Sequence, residues 1–427
     1  MKVYFSTFGC KVNQYETQEM SELFQNAGYE TTTDISEADI AVINSCTVTA
    51  ESVRKVRQTV RKLKKAAPNA LLVLTGCASQ AEPQICEDLP EIDLMLGNRN
   101  NKEIVSLCEN AMKAGHFVNA HKEHLTGDAF EGTGITKFDG HTRAFLKIQD
   151  GCDRFCSYCL IPTARGRSRS KTPEQIDEEL KALSENGYSE IVFVGINLSD
   201  YGKNTPYSLP DALALAEKYD GIKRVRLGSL EPDHITPEMI KKLSCISKLC
   251  PQFHISVQSG CDSVLKKMNR HYTSSDYKEL VKNLRENFAD ATITTDILVG
   301  FPTETEENFL ETVQFAKDIA FEKIHVFPYS VRNNTPAAKM KQLTNAVKEE
   351  RARELIKTAS EIRKNFLLSQ IGKTVEVLFE TEHDGYSEGY TKNYTPVRIY
   401  DGIKRKGQFI NVTVTGATDE YCIAEQV

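Results

Sequence analysis

The chain has 427 residues, of which 40% are hydrophobic and 26% are charged, and this composition is typical of a globular protein rather than a disordered or fibrous one. Its length suggests roughly three domains. The formal net charge of −6 excludes a protein that holds polyanions by overall attraction, so any contact with nucleic acid has to come from local basic patches.

The first residues contain no long apolar segment that would indicate a signal peptide, and no run of about 18 apolar residues predicts a transmembrane helix. The twelve cysteines then favour metal chemistry in a reducing compartment over disulfides. We therefore expect a cytoplasmic protein with no membrane partner.

Residues 1–113 alternate strand and helix patterns and are predicted to form the first domain. Lys2 to Thr7, Ile40 to Ile43 and Leu71 to Leu74 have strand patterns, and a helix pattern follows each of them. Because strands that alternate with helices form parallel sheets, we predict a Rossmann-like α/β domain.

One cysteine follows each of these three strands, namely Cys10, Cys46 and Cys77. All three are expected beyond the carboxyl ends of parallel strands, the edge at which open α/β sheets bind their ligands. Three thiols that meet there would form a metal-cluster site, and the alternative is three ordinary buried cysteines. Cys86 and Cys108 lie within helix patterns and are interpreted as small core residues.

The helix predicted for residues 51–65 carries a dense run of cations. Its apolar residues recur at helical spacing and predict one buried stripe, whereas the other positions hold seven cations and no acid after Glu51. A charged face is often only solvated, but this one is a candidate for phosphate contacts. The cations chosen are Arg54, Lys55, Arg57 and Arg61.

Residues 114–142 lose periodicity and contain five glycines, so they are predicted to be a linker. The alternation of strands and helices resumes over residues 143–370, with strand patterns that begin near residues 145, 191, 224, 253, 293 and 324. A long helix pattern over residues 345–370 closes the set. Six parallel strands with crossover helices predict a partial (β/α)6 barrel, whose active site forms at the carboxyl ends of the strands.

The loop after the first barrel strand contains three thiols in the spacing CxxxCxxC, at Cys152, Cys156 and Cys159. Thiolates are the soft ligands of iron–sulfur clusters and of zinc. Structural zinc would need a fourth ligand, yet no fourth cysteine follows and the nearest downstream histidine is His234. A cubane cluster held by three thiolates would instead leave one iron open to a further ligand. A zinc knuckle or a chance grouping stays the alternative.

Polar residues follow the later barrel strands and are predicted to lie on the same rim. Together they are interpreted as ligand contacts, although each could be a strand-end cap. They are Asn197, Ser229, Glu231, Gln258, Ser259 and Asp296, with Arg270 nearby.

The seven residues from 165 to 171 follow the cysteine motif and contain four cations separated by small residues. We predict a mobile loop that binds phosphates through Arg165, Arg167 and Arg169, and the alternative is a solubilising turn. Residues 371–427 have alternating patterns and turn glycines, which predict a small antiparallel β-barrel. Its one cationic cluster, residues 404–406, lies among acids, so we expect little independent RNA binding from this barrel.

At CxxxCxxC the sequence resembles the radical S-adenosylmethionine (SAM) superfamily, whose motif has an aromatic residue where Tyr158 stands. The resemblance implies a 4Fe–4S cluster on the three cysteines, SAM bound to its open iron and a 5′-deoxyadenosyl radical as product of SAM cleavage. It also implies that Tyr158 lies near the adenine of SAM.

The whole chain resembles the methylthiotransferase branch of this superfamily, in stretches such as TFGCKVN at residue 7, HISVQSG at residue 254 and TDILVGFP at residue 295. Within the branch, GCKVNQYET at residue 9 looks most like the MtaB group. The resemblance implies a second, auxiliary 4Fe–4S cluster on Cys10, Cys46 and Cys77, and a TRAM domain as the tail barrel. It also implies a tRNA enzyme that adds a methylthio group to carbon 2 of N(6)-threonylcarbamoyladenosine, beside the anticodon.

Such an enzyme would need a reductase, such as flavodoxin or ferredoxin, and a sulfur donor as partners. Three alternatives stay open. They are the same chemistry on another substrate, a radical SAM oxidase or dehydratase with an electron-transfer cluster, and a non-catalytic RNA-binding protein with a metal centre.

Overall fold

The computed structural model describes residues 1–427, apart from the side chain of residue 50. The first domain is a six-stranded parallel sheet in the order β2-β1-β3-β4-β5-β6 with four α-helices. Its strands are β1 (Lys2–Thr7), β2 (Glu30–Thr32), β3 (Ile40–Ser45), β4 (Leu71–Gly76), β5 (Leu94–Met95) and β6 (Val118–Asn119). Its helices are α1 (Lys11–Asn26), α2 (Ala50–Ala66), α3 (Cys77–Ala81) and α4 (Ile104–Ala114).

The central strands β3 and β4 are buried on both faces, as their continuous apolar sequence predicts. Helix α2 begins where the Thr49 hydroxyl accepts a hydrogen bond from the Ser52 amide, and its valines and Leu63 pack onto the sheet. The short strand β6 lies within the segment predicted to be a linker, so the sheet extends past residue 113.

The second domain carries the six predicted barrel strands and the short strand β12, all parallel, in two hydrogen-bonded sheets of order β11-β10-β7 and β12-β13-β14-β15. The strands are β7 (Ala144–Lys147), β8 (Gln149–Asp150), β9 (Arg169–Ser170), β10 (Glu190–Val194), β11 (Arg224–Leu227), β12 (Ser229–Leu230), β13 (Gln252–Ile255), β14 (Thr292–Val299) and β15 (Lys323–Pro328). The helices are α5 (Ile161–Arg165), α6 (Pro173–Glu185), α7 (Leu209–Ala214), α8 (Pro237–Ser244), α9 (Asp262–Lys267), α10 (Ser274–Asn287), α11 (Glu306–Ile319) and α12 (Asn345–Leu368).

The two sheets meet where Val225 pairs with Leu249 in an isolated parallel bridge, and helix α1 of the first domain packs beside β7. The barrel is therefore partial, and the first domain lies against its open side. The short strands β8 and β9 pair antiparallel and frame the loop that carries the CxxxCxxC motif.

The tail is a closed barrel of order β16-β17-β18-β20-β19, with one parallel pair between β18 and β20. The sequence predicted three of its strands and missed two. The strands are β16 (Thr374–His383), β17 (Tyr386–Thr391), β18 (Pro396–Ile399), β19 (Phe409–Ala417) and β20 (Cys422–Gln426).

The tail barrel covers the amino-terminal ends of the barrel strands. Arg226 donates to the carbonyls of Thr391 and Lys392 at 2.8 and 2.7 Å, and Arg224 donates to the carbonyls of Glu376 and Tyr390. Both arginines are buried. This end of the catalytic barrel is therefore closed by backbone carbonyls that arginine donors satisfy.

The segment of residues 114–142 is packed rather than free. Ile135 and Phe138 are buried, and the amides of Thr133 and Thr136 donate to the carboxylates of Glu19 and Glu22 in helix α1. Among the described residues, no helix is both long and apolar enough to cross a membrane.

Candidate active site

The three cysteines of the first domain lie at the carboxyl ends of neighbouring strands. Cys10 follows β1, Cys46 follows β3, and Cys77 begins α3 directly after β4. The Asn13 side-chain oxygen lies 3.7 Å from the Cys10 sulfur and 4.0 Å from the Cys77 sulfur. At Gly9 (φ 103°) an added Cβ would lie 3.0 Å from the Cys46 sulfur, so only glycine allows this approach. The three cysteines therefore surround Gly9 and Asn13 at one edge of the sheet.

The cysteines of CxxxCxxC lie on a loop that backbone hydrogen bonds hold at several points. The Cys152 amide donates to the Gly166 carbonyl at 3.0 Å, and the Ser157 amide donates to the Met268 carbonyl at 3.0 Å. The Ala337 amide donates to the Ser157 carbonyl at 2.8 Å. The loop is therefore anchored to the barrel and to the segment after β15.

The spacing of the thiols suits clusters better than single ions. Within the described part of the chain, the one set of three possible ligands that lie within 4.8 Å of one another is His254, Asp296 and His325. Neither cysteine triad is that compact, whereas Zn–S bonds of about 2.3 Å would bring tetrahedral thiolates to about 3.8 Å from one another. The wider spacing favours a polynuclear cluster over the zinc alternative.

The protonation of the thiols also fits metal ligands. Burial raises the pKa of Cys77, Cys152 and Cys159 to about 12, and it raises the pKa of Cys46 and Cys156 as well. A buried thiol of this kind keeps its proton unless a metal replaces it, because the thiolate is the ligand and burial opposes its bare charge. The donor sets therefore fit two iron–sulfur clusters of three thiolates each.

Tyr158, Arg270 and Glu231 form a chain of hydrogen bonds beside the second triad. Arg270 donates to the Tyr158 hydroxyl oxygen at 2.9 Å and to the Glu231 carboxylate at 2.6 Å. Burial raises the pKa of the Cys156 thiol, and the nearby Arg270 guanidinium counteracts part of that rise. The Tyr158 ring also packs edge-on against Phe301, with centroids 6.3 Å apart. The structure therefore brings three of the predicted cofactor contacts together at this motif.

The other predicted rim residues lie in different places. Asn197 is buried, and neither atom of its side-chain amide has a hydrogen-bond partner, which is typical of a group that awaits a ligand. Gln258 has a φ of 66° and pairs with Ile297 in an isolated bridge. Asp296 lines the barrel interior, where His254 contacts its carboxylate at 3.3 Å.

The prediction for Ser259 is not supported as a pocket contact. Its side chain is fully buried, and its hydroxyl lies 3.2 Å from the Thr312 hydroxyl and accepts from the Cys261 amide. These bonds stabilise the turn after β13, so Ser259 has a structural role in this conformation.

Arg165, at the end of the helix that follows the CxxxCxxC loop, contacts the triad of the first domain instead of solvent. Its guanidinium donates from Nε to the Cys77 sulfur at 3.1 Å and from Nη2 to the Asn13 side chain at 2.8 Å. It also forms a bidentate ion pair with the Glu16 carboxylate, and its Nη1 atom lies 3.5 Å from the Asp150 carboxylate. Arg165 ends helix α5 of the second domain. It therefore joins Asp150 of that domain to Asn13, Glu16 and Cys77 of the first domain in one buried network.

This position corrects the prediction of a mobile phosphate-binding loop at residues 165–171. Arg165 has no exposed surface, Arg169 is bonded to Asp150 at 3.1 Å, and Lys171 is paired with Glu179 in the interior. Of the three predicted RNA contacts in this run, Arg167 alone is well exposed, with 59% of its side chain accessible. Of these cations, β9 holds only Arg169 in extended conformation, whereas Arg165 is the last residue of helix α5.

The predicted contacts on helix α2 do face outwards. Arg54 is exposed but paired with Glu51, and Arg57 is paired with Asp88. Lys55 and Arg61 are exposed and form no ion pair in the described part of the chain. In the tail, Arg405 of the cationic cluster is buried and bonded to Asp401.

Sequence reasoning missed the side chains that line the barrel interior. They alternate along β13, β14 and β15 with apolar residues that face the helices, and this period of two was the available signal. The missed residues of these strands are His254, Thr294, Lys323 and His325, and Lys11 of helix α1, which also lines the interior, was missed as well. Arg165, Glu16 and Asp150 gave no such signal, because their contact joins separate domains.

Comparison with known proteins agrees with this architecture. Residues 146–316 match the model of the Radical SAM superfamily, and residues 2–97 match the model described as uncharacterized protein family UPF0004. The fold resembles that of the radical S-adenosylmethionine methyltransferase TsrM from Kitasatospora setae, with a TM-score of 0.59 and 15% identity over 79% of this chain and 77% of that one. The chain thus has the architecture of a radical SAM enzyme.

Two groups of curated relatives span nearly the full length. The chain is 36% identical to the threonylcarbamoyladenosine tRNA methylthiotransferase MtaB of Bacillus subtilis (strain 168), over 98% of this chain and 95% of that protein. It is 34% identical to the tRNA-2-methylthio-N(6)-dimethylallyladenosine synthase of Clostridium novyi (strain NT), over 97% and 94%. The chain therefore belongs to the radical SAM methylthiotransferase family, and it is a transferase.

Proposed function

We propose that this protein adds a methylthio group to carbon 2 of N(6)-threonylcarbamoyladenosine beside the anticodon of tRNA. The observation that carries the proposal is that Arg165, which ends the short helix after the CxxxCxxC loop, donates to Cys77 of the first-domain triad across the domain boundary. A protein that used its second cluster only for electron transfer would not need an exposed ligand, whereas Cys10 is open to solvent. Relatives of 36% and 37% identity share this activity by name.

In this proposal Cys152, Cys156 and Cys159 hold one 4Fe–4S cluster, and Cys10, Cys46 and Cys77 hold the auxiliary one. When bound, the clusters and two SAM molecules supply the 5′-deoxyadenosyl radical, the methyl group and the sulfur for transfer. The protein supplies position and exclusion of water. Tyr158 and Arg270 orient SAM beside Cys152, Cys156 and Cys159, with Glu231 fixing the guanidinium and Asn197 offering an unpaired amide.

The substrate base has to reach both triads, so it leaves the stack of the anticodon loop and enters the barrel interior. Exposed cations at Lys55, Arg61 and Arg167 bind the phosphates of the loop. A reductase such as flavodoxin or ferredoxin and a sulfur donor complete the system, which operates in the cytoplasm. The second candidate is the same reaction on dimethylallyladenosine in tRNA, which relatives of 34% identity favour.

Iron analysis tests the assignment of the clusters. Anaerobically reconstituted protein should hold about eight irons, from two cubanes of three thiolates each. Changing Cys152, Cys156 and Cys159 to Ala should halve the iron and abolish formation of 5′-deoxyadenosine. Changing Cys10, Cys46 and Cys77 to Ala should also halve the iron but leave some SAM cleavage without a methylthio product. The triple change of Cys86, Cys108 and Cys250 to Ala, three cysteines outside both triads, is the matched control for iron loading.

Mass spectrometry of tRNA nucleosides tests the reaction. A strain without the gene should lack 2-methylthio-N(6)-threonylcarbamoyladenosine and accumulate its precursor. Loss of the methylthio group from dimethylallyladenosine instead would select the second candidate.

A further inference from the structure

A cavity of about 510 Å³ lies inside the barrel, within the size range of small-ligand sites. Cys10 and Lys11 of the first domain line one side of it, and Tyr394 of the tail lines another. The barrel strands contribute inward-facing side chains such as His254, Asp296 and Lys323. The cavity therefore adjoins a ligand of the auxiliary triad and is built from all three parts of the chain.

The charged groups of this cavity are unevenly paired. Its carboxylate, Asp296, already accepts from the Ser256 hydroxyl at 3.0 Å and contacts His254 at 3.3 Å. Although burial opposes it, the hydrogen bond from His254 lowers the pKa of Asp296, so this carboxyl group is ionised and engaged. Within the described residues, Lys11 and Lys323 form no ion pair and no hydrogen bond. Two ammonium groups thus share the cavity without an anion of their own.

The surroundings of Lys323 indicate what is missing. Burial and the neighbouring Arg363 lower the pKa of Lys323, and burial together with Lys323 lowers the pKa of His325. Lowered pKa values of this kind arise where cations are desolvated near like charges. An anion placed between them would relieve both effects, whereas a bound metal ion at His254, Asp296 and His325 would add to the repulsion.

We propose that this cavity binds a carboxylate carried by the N6 substituent of the substrate nucleotide, with Lys11 and Lys323 as the partners of the carboxylate. This inference rests on the proposed function and specifies how the enzyme selects its substrate. Both lysines are exposed to the solvent that fills the cavity, and an isopentenyl group in the same place would displace that water without offering them an anion, which is costly in a confined site. A threonylcarbamoyl group would satisfy them, because its acid is the anion that the cavity lacks.

Equilibrium binding to the anaerobically reconstituted holoenzyme tests the inference. The probes are anticodon stem-loop RNAs that differ only at N6 of one adenosine, which carries no substituent, threonylcarbamoyl, its methyl ester or isopentenyl. The ester keeps the shape and removes the charge. Hydrogen bonds to charged groups contribute about 1.5 to 3 kcal/mol, so the acid should bind about 10- to 100-fold more tightly than the ester.

The variants Lys323→Met and Lys11→Met should each reduce that ratio, and the double variant should bring it close to one while the ester binds as before. Lys181→Met, which removes an exposed lysine of α6, is the matched control and should keep the full ratio. Iron content and thermal unfolding show that each variant is folded and loaded, which matters most for Lys11 beside Cys10.

Equal binding of acid and ester by the wild-type enzyme, both tighter than the unsubstituted RNA, would overturn the inference and leave the proposed function standing. A ratio that survives in the double variant would also overturn it. If the wild-type enzyme binds no substituted RNA better than the unsubstituted one, or prefers isopentenyl, the proposed function itself fails.

Discussion

Arg165 shows how one side chain can take a role that its sequence context does not predict. The run of four cations favoured phosphate binding, yet Arg165 is buried against Cys77, Glu16 and Asp150. Although burial opposes it, the lysine and arginine neighbours hold the pKa of Asp150 well below its usual range. The network is therefore ionised, and each buried charge depends on the others.

Replacing Arg165 with Gln should destabilise the protein by about 3 to 5 kcal/mol, because it leaves the carboxylates of Glu16 and Asp150 partly uncompensated in the interior. Urea unfolding measures the change, and iron analysis should show weaker loading of the auxiliary triad. Lysine at this position keeps the positive charge but lacks the planar guanidinium that donates to Cys77 and Glu16 together. Arg165→Lys should therefore be more stable than Arg165→Gln but less stable than the wild type.

Arg167→Gln, two residues further on, is the matched control. Its guanidinium is largely exposed, so the free energy of unfolding should change by less than about 0.5 kcal/mol. A similar decrease in both variants would show that the Arg165 network does not stabilise the fold.

Among the elements, those with clear periodicity were predicted well. The six barrel strands and helices such as α10 and α12 lie where the patterns of two and 3.6 residues indicated, because these periods reflect the burial of one face. Strands β17 and β20 were missed, since the first holds glycine and serine and the second ends in polar residues. The break between β11 and β12 depends on barrel closure, which local sequence does not encode.

The start of β15 carries a carboxyl group that should make stability depend on pH. Burial raises the pKa of Glu322 from its usual 4.5 to about 7, where its carboxylate accepts from the Ile293 amide of β14. Between these values the folded chain holds a proton that the unfolded chain releases, so the free energy of unfolding falls as the pH rises from about 4.5 to 7. The decline from this group is at most about 3 kcal/mol.

Glu322→Gln keeps an acceptor for Ile293 but cannot ionise. Compared with the wild type, it should lack this part of the decline in stability across the window, as measured by urea unfolding at a series of pH values. Glu286→Gln, at an exposed position of α10, is the control and should follow the wild-type curve. Parallel curves for all three proteins would contradict the assignment.

For the whole molecule, the contacts between the catalytic barrel and the tail barrel are buried and charged. Arg226 donates to two tail carbonyls and to Glu190 at 2.7 Å. Removing residues 371–427 should therefore destabilise the remaining chain, because Arg224 and Arg226 lose their carbonyl acceptors. The midpoint temperature of thermal unfolding and the yield of soluble protein should both fall. Both quantities are measured in the absence of RNA. Lys404→Gln, an exposed change within the tail, is the comparison and should leave unfolding unchanged.

The net charge of −6 requires that RNA be held by a few local cations. If Lys55 and Arg61 bind phosphates, changing both to Gln should lower the salt dependence of tRNA binding by about 0.7 to 0.9 in slope for each phosphate no longer neutralised. Lys278→Gln with Lys282→Gln, on an exposed face of α10, is the matched pair. An unchanged slope in the first variant would remove helix α2 from the RNA interface.

The tail barrel closes the amino-terminal ends of the catalytic barrel strands. The CxxxCxxC loop begins at the opposite, carboxyl end of these strands. The longest strand of the catalytic barrel, β14, has eight residues and so spans about 26 Å at about 3.3 Å per residue. Tyr394 of the tail also lines the cavity inside the catalytic barrel, so the tail closes that cavity at the end opposite the CxxxCxxC loop.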